Sequence, residues 1–144
     1  GIGQQMKWSV RDESLHSKMG CQLFRQMCQE DNTLLEACRH NVTEAASTMI
    51  KLEESYIDKM FEMGDIEGIK ANDLKQFIRK RTNEKLAELG YIDLGSYFSY
   101  DTEAASNLDW FYHLTGGVTH TDFFAIRPTD YSKAGENEDY EDIW

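Results

Sequence analysis

Arg11-Asp12-Glu13-Ser14-Leu15-His16 decides how the chain is read. The stretch has helical character, and it spaces a carboxylate and an imidazole three residues apart. Residues three apart share one face of a helix, so Glu13 and His16 can converge on a single metal ion. A carboxylate oxygen with an imidazole nitrogen suits iron or manganese, which accept both donor types. Taken alone, Glu-x-x-His also describes a solvated pair on a helix surface. Its neighbours argue otherwise. Ser9, Glu13, His16 and Gly20 fall on one stripe that Met6, Leu23 and Met27 extend. An acid and an imidazole set among apolar and small residues are expected to face a core. Burying a carboxylate there is costly unless it is paired or bound to metal.

Working outward, the first helix is expected over about residues 4–29, with Asp31 and Asn32 breaking it. Thr33-x-x-Glu36 then reads as a capping box opening a second helix. Leu35, Cys38, Val42, Ala45, Met49, Leu52 and Tyr56 form a heptad seam along that helix. Such a seam is expected to pack lengthwise against a neighbour, and the helix to end near Met63-Gly64. Asn72 or Asp73 is expected to cap a third helix running to about Leu89, where Gly90 stops it. Leu74, Phe77, Ile78, Leu86 and Leu89 would be its buried side, and Arg79-Lys80-Arg81 a solvated basic face. From Tyr91 to His120 the pattern loosens into an aromatic-rich stretch of short helices and irregular backbone, covering one end of a bundle. His113 and His120 have no acid at ligand spacing and are read as packing or surface residues. Glu44, Glu53 and Glu54 could each be a lone ligand, but none has a His three residues later, and solvated faces carry most such charges.

Composition sets the bounds. With 144 residues, the chain is one domain's worth. Lys and Arg total 15 against 26 Asp and Glu, for a net charge of −11. That balance argues against nucleic-acid binding. No stretch approaches the roughly 20 apolar residues of a membrane span, and no secretory signal is seen. Three cysteines, Cys21, Cys28 and Cys38, lack Cys-x-x-Cys spacing and read as reduced core thiols of a cytoplasmic protein. Cys21 and Cys28 are two turns apart, on about one face. The single proline, Pro128, fits long uninterrupted helices. There is no initiator Met, and the chain begins at or inside a helix, which fits a mature fragment or a split gene product and equally a start chosen for expression.

The stretch 11–16 resembles the second metal-binding helix pair of the class I ribonucleotide reductase small subunit. A second match follows in the same order. Asp109-Trp110-Phe111 before Gly116-Gly117, then Thr121-Asp122-Phe123-Phe124-Ala125-Ile126-Arg127-Pro128-Thr129-Asp130-Tyr131, is similar to that family's C-terminal segment. The resemblance spans nearly the whole chain but only the C-terminal part of the family's sequence. It implies an all-α fold, the C-terminal half of a ferritin-like helical bundle. Residues 1–120 would be its helical part, and 121–144 a flexible acidic tail docking the large subunit. It also implies a dinuclear iron or manganese centre that makes, with oxygen, an oxidant used by the large subunit to reduce ribonucleotides. Glu13 and His16 would be metal ligands, Asp12 a hydrogen-bonded residue of the radical-transfer path beside its basic neighbour Arg11, and Tyr131 the tail tyrosine that relays the oxidising equivalent. The last nine residues carry Glu136, Glu138, Asp139, Glu141 and Asp142 with Tyr140, Ile143 and Trp144 between them. They read as a disordered peptide that docks a partner, and Tyr140 is the other redox-capable tail tyrosine.

A dimetal carboxylate site takes two Glu-x-x-His units plus two lone carboxylates. This chain offers one unit. Glu36 and His40 are four apart and sit beside the heptad seam. Two copies could pool their pairs, or another polypeptide could supply the rest. The resemblance favours the second, with an N-terminal fragment of the small subunit as companion and a dimer of such units. Two other readings stand against it: a non-catalytic helical interaction module with a vestigial pair, and half of another ferritin-like dimetal oxygenase, which would need no tyrosine-bearing tail.

Overall fold

The computed structural model describes residues 2–64 and 66–115. Five α-helices follow in order: α1 (Ile2–Glu30), α2 (Leu34–Met60), α3 (Ala71–Glu88), α4 (Thr102–Ser106) and α5 (Trp110–Thr115). A 3₁₀ turn at Ile92–Leu94 separates α3 from α4. No strand occurs among the described residues. The fold is all-α, as a ferritin-like piece requires.

Asp31 makes the corner between the two long helices. Its Oδ1 accepts from the Thr33 amide at 2.9 Å and the Thr33 hydroxyl at 2.7 Å. These two donors hold the Asp31 carboxyl below its ordinary pKa. The expected capping box therefore does not form. Thr33 has helical dihedrals and makes no side-chain cap bond, and Glu36 instead accepts from Arg39 Nε at 2.8 Å. A carboxylate two residues upstream is the stronger acceptor and takes the threonine. The third helix also starts differently. It begins at Ala71 after an extended Lys70, because Asn72 binds Gln76 and Asp73 is buried, accepting from Asn107 Nδ2 at 2.9 Å. The second helix stops at Met60, three residues short of the Met63-Gly64 expected, and Gly64 takes φ 112° in the turn beyond.

α3 is the hub, packing against α2, the 3₁₀ turn and α4. Phe77 and Leu86 are buried as expected, while Leu74, Ile78 and Leu89 are half-buried. Phe77 meets Phe111 and Tyr112 edge-on, at 5.8 and 5.6 Å between ring centres. Asn83, fully buried, clamps the loop before α4: its Nδ2 donates to the Phe98 carbonyl at 2.8 Å, and its Oδ1 accepts the Phe98 amide at 2.9 Å. Tyr91, wholly buried, donates its hydroxyl to the Leu35 carbonyl at 2.8 Å. Gly90 beside it has φ 111°, and an added Cβ would sit 3.6 Å from Leu35 Cδ1. Backbone of that hand favours glycine.

The basic run is not a solvated face. Arg79 binds Glu54 of α2 at 2.6 Å, Lys80 binds Asp109 at 2.7 Å, and Arg81 binds Glu84 at 2.8 Å. Lys80 and Arg81 also lie over the Tyr112 ring. All three cations are half-buried. From the hub helix Arg79 and Lys80 reach acids on neighbouring elements, while Arg81 pairs with Glu84 one turn along the same helix.

α2 buries a stripe other than its heptad seam. Ile50, Ile57 and Phe61 are buried. Within the seam, Leu35, Cys38 and Val42 are half-buried, but Ala45, Met49, Leu52 and Tyr56 are exposed. The expected lengthwise neighbour is absent among the described residues, because α3 occupies the adjacent face. Replacing Leu86, which is 2 % exposed, by Ala should lower stability by about 2–5 kcal/mol. Met49→Ala on the outer stripe should change it by less than about 0.5 kcal/mol. Urea unfolding followed by circular dichroism separates the two.

Candidate metal-ligand face

α1 has two stripes and buries one. Val10, Ser14, Lys18, Cys21, Phe24 and Cys28 are half-buried. On this side Ser14 donates to the Val10 carbonyl at 2.9 Å, and Phe24 packs on Tyr91. Helices α2 and α5 supply its partners. The three cysteines are half-buried free thiols, and desolvation pushes the pKa values of Cys21 and Cys28 up. They act as small packing residues.

The other stripe carries the candidate ligands. Met6, Ser9, Glu13, His16, Gly20, Leu23 and Met27 are all exposed in this chain. The stripe was expected to face a core; within this chain it faces outward, since α1 packs on α2 and α5 through its opposite side. Glu13 and His16 do share a face. His16 Nδ1 stands 3.5 Å from Glu13 Oε2, with side chains 68 % and 74 % exposed. Two donors each about 2.1 Å from one ion stand roughly 3.0 Å apart in octahedral geometry and about 3.4 Å apart in tetrahedral geometry. The observed spacing fits a shared ion after a small rotamer adjustment.

The pair by itself offers two potential donors. Among the described residues, no three His, Cys, Asp or Glu side chains gather as a metal group. Asp12 is exposed one step round the helix from Glu13. Of the other acids weighed, Glu54 is committed to Arg79. His40 lies 3.9 Å from Glu44 rather than pairing with Glu36. Tyr131, Tyr140 and the acidic tail lie outside the described residues, as do His120 and the side chain of His113. No described helix is long and apolar enough to cross a membrane.

The described residues form a helical protein that presents a Glu-x-x-His unit on one long helix. The family model described as "Ribonucleotide reductase, small chain" matches residues 1–96, which contain α1 to the 3₁₀ turn. The chain belongs to the ribonucleotide reductase small-chain family. Two viral proteins are similar to it. A probable ribonucleoside-diphosphate reductase small subunit, 048L of Invertebrate iridescent virus 3, is 33 % identical over 144 residues, covering 96 % of this chain and 36 % of that protein. A probable ribonucleoside-diphosphate reductase small subunit, 376L of Invertebrate iridescent virus 6, is 27 % identical over 166 residues, covering all of this chain and 45 % of that protein. The chain thus spans between a third and a half of the length of these relatives. No solved structure matches it.

A ligand pair that does no structural work should be removable without cost to the fold. Glu13→Ala and His16→Ala should each shift the unfolding free energy of the isolated chain by less than about 0.5 kcal/mol. Thermal unfolding of the variants measures this, and a larger loss would give the pair a packing role.

Proposed function

We propose that this chain is the C-terminal fragment of a ribonucleoside-diphosphate reductase small subunit, contributing part of the ligand set of a dimetal centre. One observation carries the proposal: Glu13 and His16 lie side by side in an apolar stripe that nothing else among the described residues covers. A carboxylate and an imidazole at ligand spacing ask for a metal, and exposed Met6, Leu23 and Met27 around them ask for more helices. A dimetal set takes further acids and a second Glu-x-x-His, which this reading assigns to a companion polypeptide. Dimers of the reassembled unit are part of the proposal. Free thiols suit the reducing cytoplasm.

In this reading residues 1–120 form the helical part of the bundle and residues 121–144 the tail that docks the large subunit. Iron or manganese, when bound with oxygen, supplies a one-electron oxidant. Glu13 and His16 hold one ion by a carboxylate oxygen and an imidazole nitrogen. Asp12, beside Glu13, accepts a hydrogen bond and fixes the orientation of a ligand imidazole, a role that tunes metal affinity from outside the ligand shell. Tyr131 is the tail phenol that gives up an electron and its proton together and recovers both, linking the two subunits in the reduction of ribonucleotides. The Arg127-Pro128-Thr129-Asp130-Tyr131 context favours it over Tyr140.

Mixing this chain with the companion fragment should raise bound metal above that of either piece, as read by elemental analysis of the purified complex. Glu13→Ala or His16→Ala should lower it. Tight binding of two metals by this chain alone would refute the shared site. Separately, Tyr131→Phe should abolish deoxyribonucleotide formation while leaving metal content and large-subunit binding intact. Retained turnover would transfer the relay role to Tyr140.

A further inference from the structure

Cys28 and Cys38 stand on either side of the corner that folds α1 back on α2. Cys28 is the last half-buried residue of α1, two positions before its end at Glu30, and Cys38 lies four positions after α2 begins at Leu34. Asp31, Asn32 and Thr33 make the corner, and Asp31 fastens it through Thr33. Both thiols are free and half-buried. Cys28 is one turn from Phe24, which packs on Tyr91 at 6.3 Å between ring centres. Cys38 is one turn from Leu35, whose carbonyl accepts the Tyr91 hydroxyl at 2.8 Å. Buried Tyr91 is thus a wedge touching both helices. Residues three or four apart share a helix face, so each thiol lies on the side of its helix turned to that wedge.

Helix geometry brings the two sulfurs within bonding reach. Packed helices run about 8–10 Å apart, with Cα atoms about 2.3 Å from each axis, which leaves about 3.4–5.4 Å across the seam between opposed inward positions. The two cysteines are offset along the seam by two residues of rise, about 3 Å. Together these give a Cα separation of about 4.5–6.2 Å, inside the range of about 4.4–6.8 Å that a disulfide spans. The thiols also feel each other: burial, then the Cys38 sulfur and Asp31, push the Cys28 thiol up. Cys21 has other neighbours. It sits about 10 Å further back along α1, where burial raises its thiol and the nearest charges are Lys85 and Glu88 of α3 and Arg25.

We propose that Cys28 and Cys38 form a redox-sensitive staple, in which oxidation by a peroxide joins them and ties α1 to α2 at the corner. One thiolate attacks a peroxide oxygen and becomes a sulfenic acid as the O–O bond breaks, the thiol's proton leaving with the departing hydroxide as water. The second thiolate attacks that sulfur, the S–S bond forms, and the sulfenic oxygen leaves as water with the second proton. Two thiols and one hydrogen peroxide give one disulfide and two waters. In a reducing compartment the staple stays open and the thiols fill space. Closed, it fixes the rotation of α1 against α2, and with it the stripe of α1 that faces outward. That stripe carries Glu13 and His16, so oxidation holds their helix without touching the pair. The staple stands whether or not the pair binds metal.

The test exposes the whole chain, metal-free and dilute, to a small excess of hydrogen peroxide, alkylates the remaining thiols and digests with trypsin. Cleavage after Lys18, Arg25 and Arg39 leaves Cys28 and Cys38 together in peptide 26–39 and Cys21 in peptide 19–25. Peptide 26–39 should lose two hydrogens and take up no alkyl group, while peptide 19–25 is alkylated. The oxidised chain should melt at least about 5 °C above the reduced chain, and dithiothreitol should reverse both changes. Cys28→Ser and Cys38→Ser should each abolish the gain in melting temperature, and Cys21→Ser should leave it. Peptide mapping of the unaltered chain decides the matter where a serine variant fails to fold. A bond to Cys21, a crosslink between chains in place of the internal one, or irreversible oxidation of both thiols overturns the staple. So does a Cys28–Cys38 bond that leaves the melting temperature unchanged or lowers it.

Discussion

A helix in a small helical protein can bury one stripe with ease, and α1 has two. Its Val10, Cys21, Phe24 and Cys28 side meets the rest of the chain, so the stripe bearing Glu13 and His16 must look elsewhere for cover. Everything distinctive about the molecule follows from that division. If the apolar residues around the pair had turned inward, the acid would have lost its hydration against residues with nothing to offer it. Outward, it remains hydrated. The same division recurs in α2, which gives Ile50, Ile57 and Phe61 to its own chain and leaves Met49, Leu52 and Tyr56 exposed.

Helical class and element order were legible in the sequence because long 3.6-residue periodicity, scarce proline and glycine stops are local signals. So was the shared face of Glu13 and His16, which spacing alone dictates. What could not be read was which of two apolar stripes a helix buries. Both stripes of α1 and α2 have the right period, and only the set of available neighbours chooses between them. The capping residues misled for a related reason. Asp31 and Thr33 compete for one turn, and the chemistry of the acceptor settles the competition.

Polar residues in the hub were the other blind spot. Asn83 looks like any exposed helix amide in sequence, yet it is buried with both ends of its side chain satisfied by the backbone at Phe98. Asp73, also buried, accepts instead from the Asn107 side chain. Arg79, Lys80 and Arg81 read as a solvated run because three adjacent cations usually are. Here each points from the hub helix to a different acid, and their exposure limits what each pair adds to stability to about 1 kcal/mol or less. The Arg79 and Lys80 pairs define where neighbouring elements sit more than how tightly they hold.

The way α3 gathers its neighbours has a kinetic consequence. Its main contacts are with α2, the 3₁₀ turn and α4, elements that flank it in the chain, and α1 folds back on α2 through a three-residue corner. The meeting of α1 with α5, the packing of Phe24 on Tyr91 and the Tyr91 bond to Leu35 join distant parts. Contacts that close over short spans form quickly, so α3 can gather its chain neighbours first, leaving the contacts of α1 with α5 and of Tyr91 with Phe24 and Leu35 as the later steps.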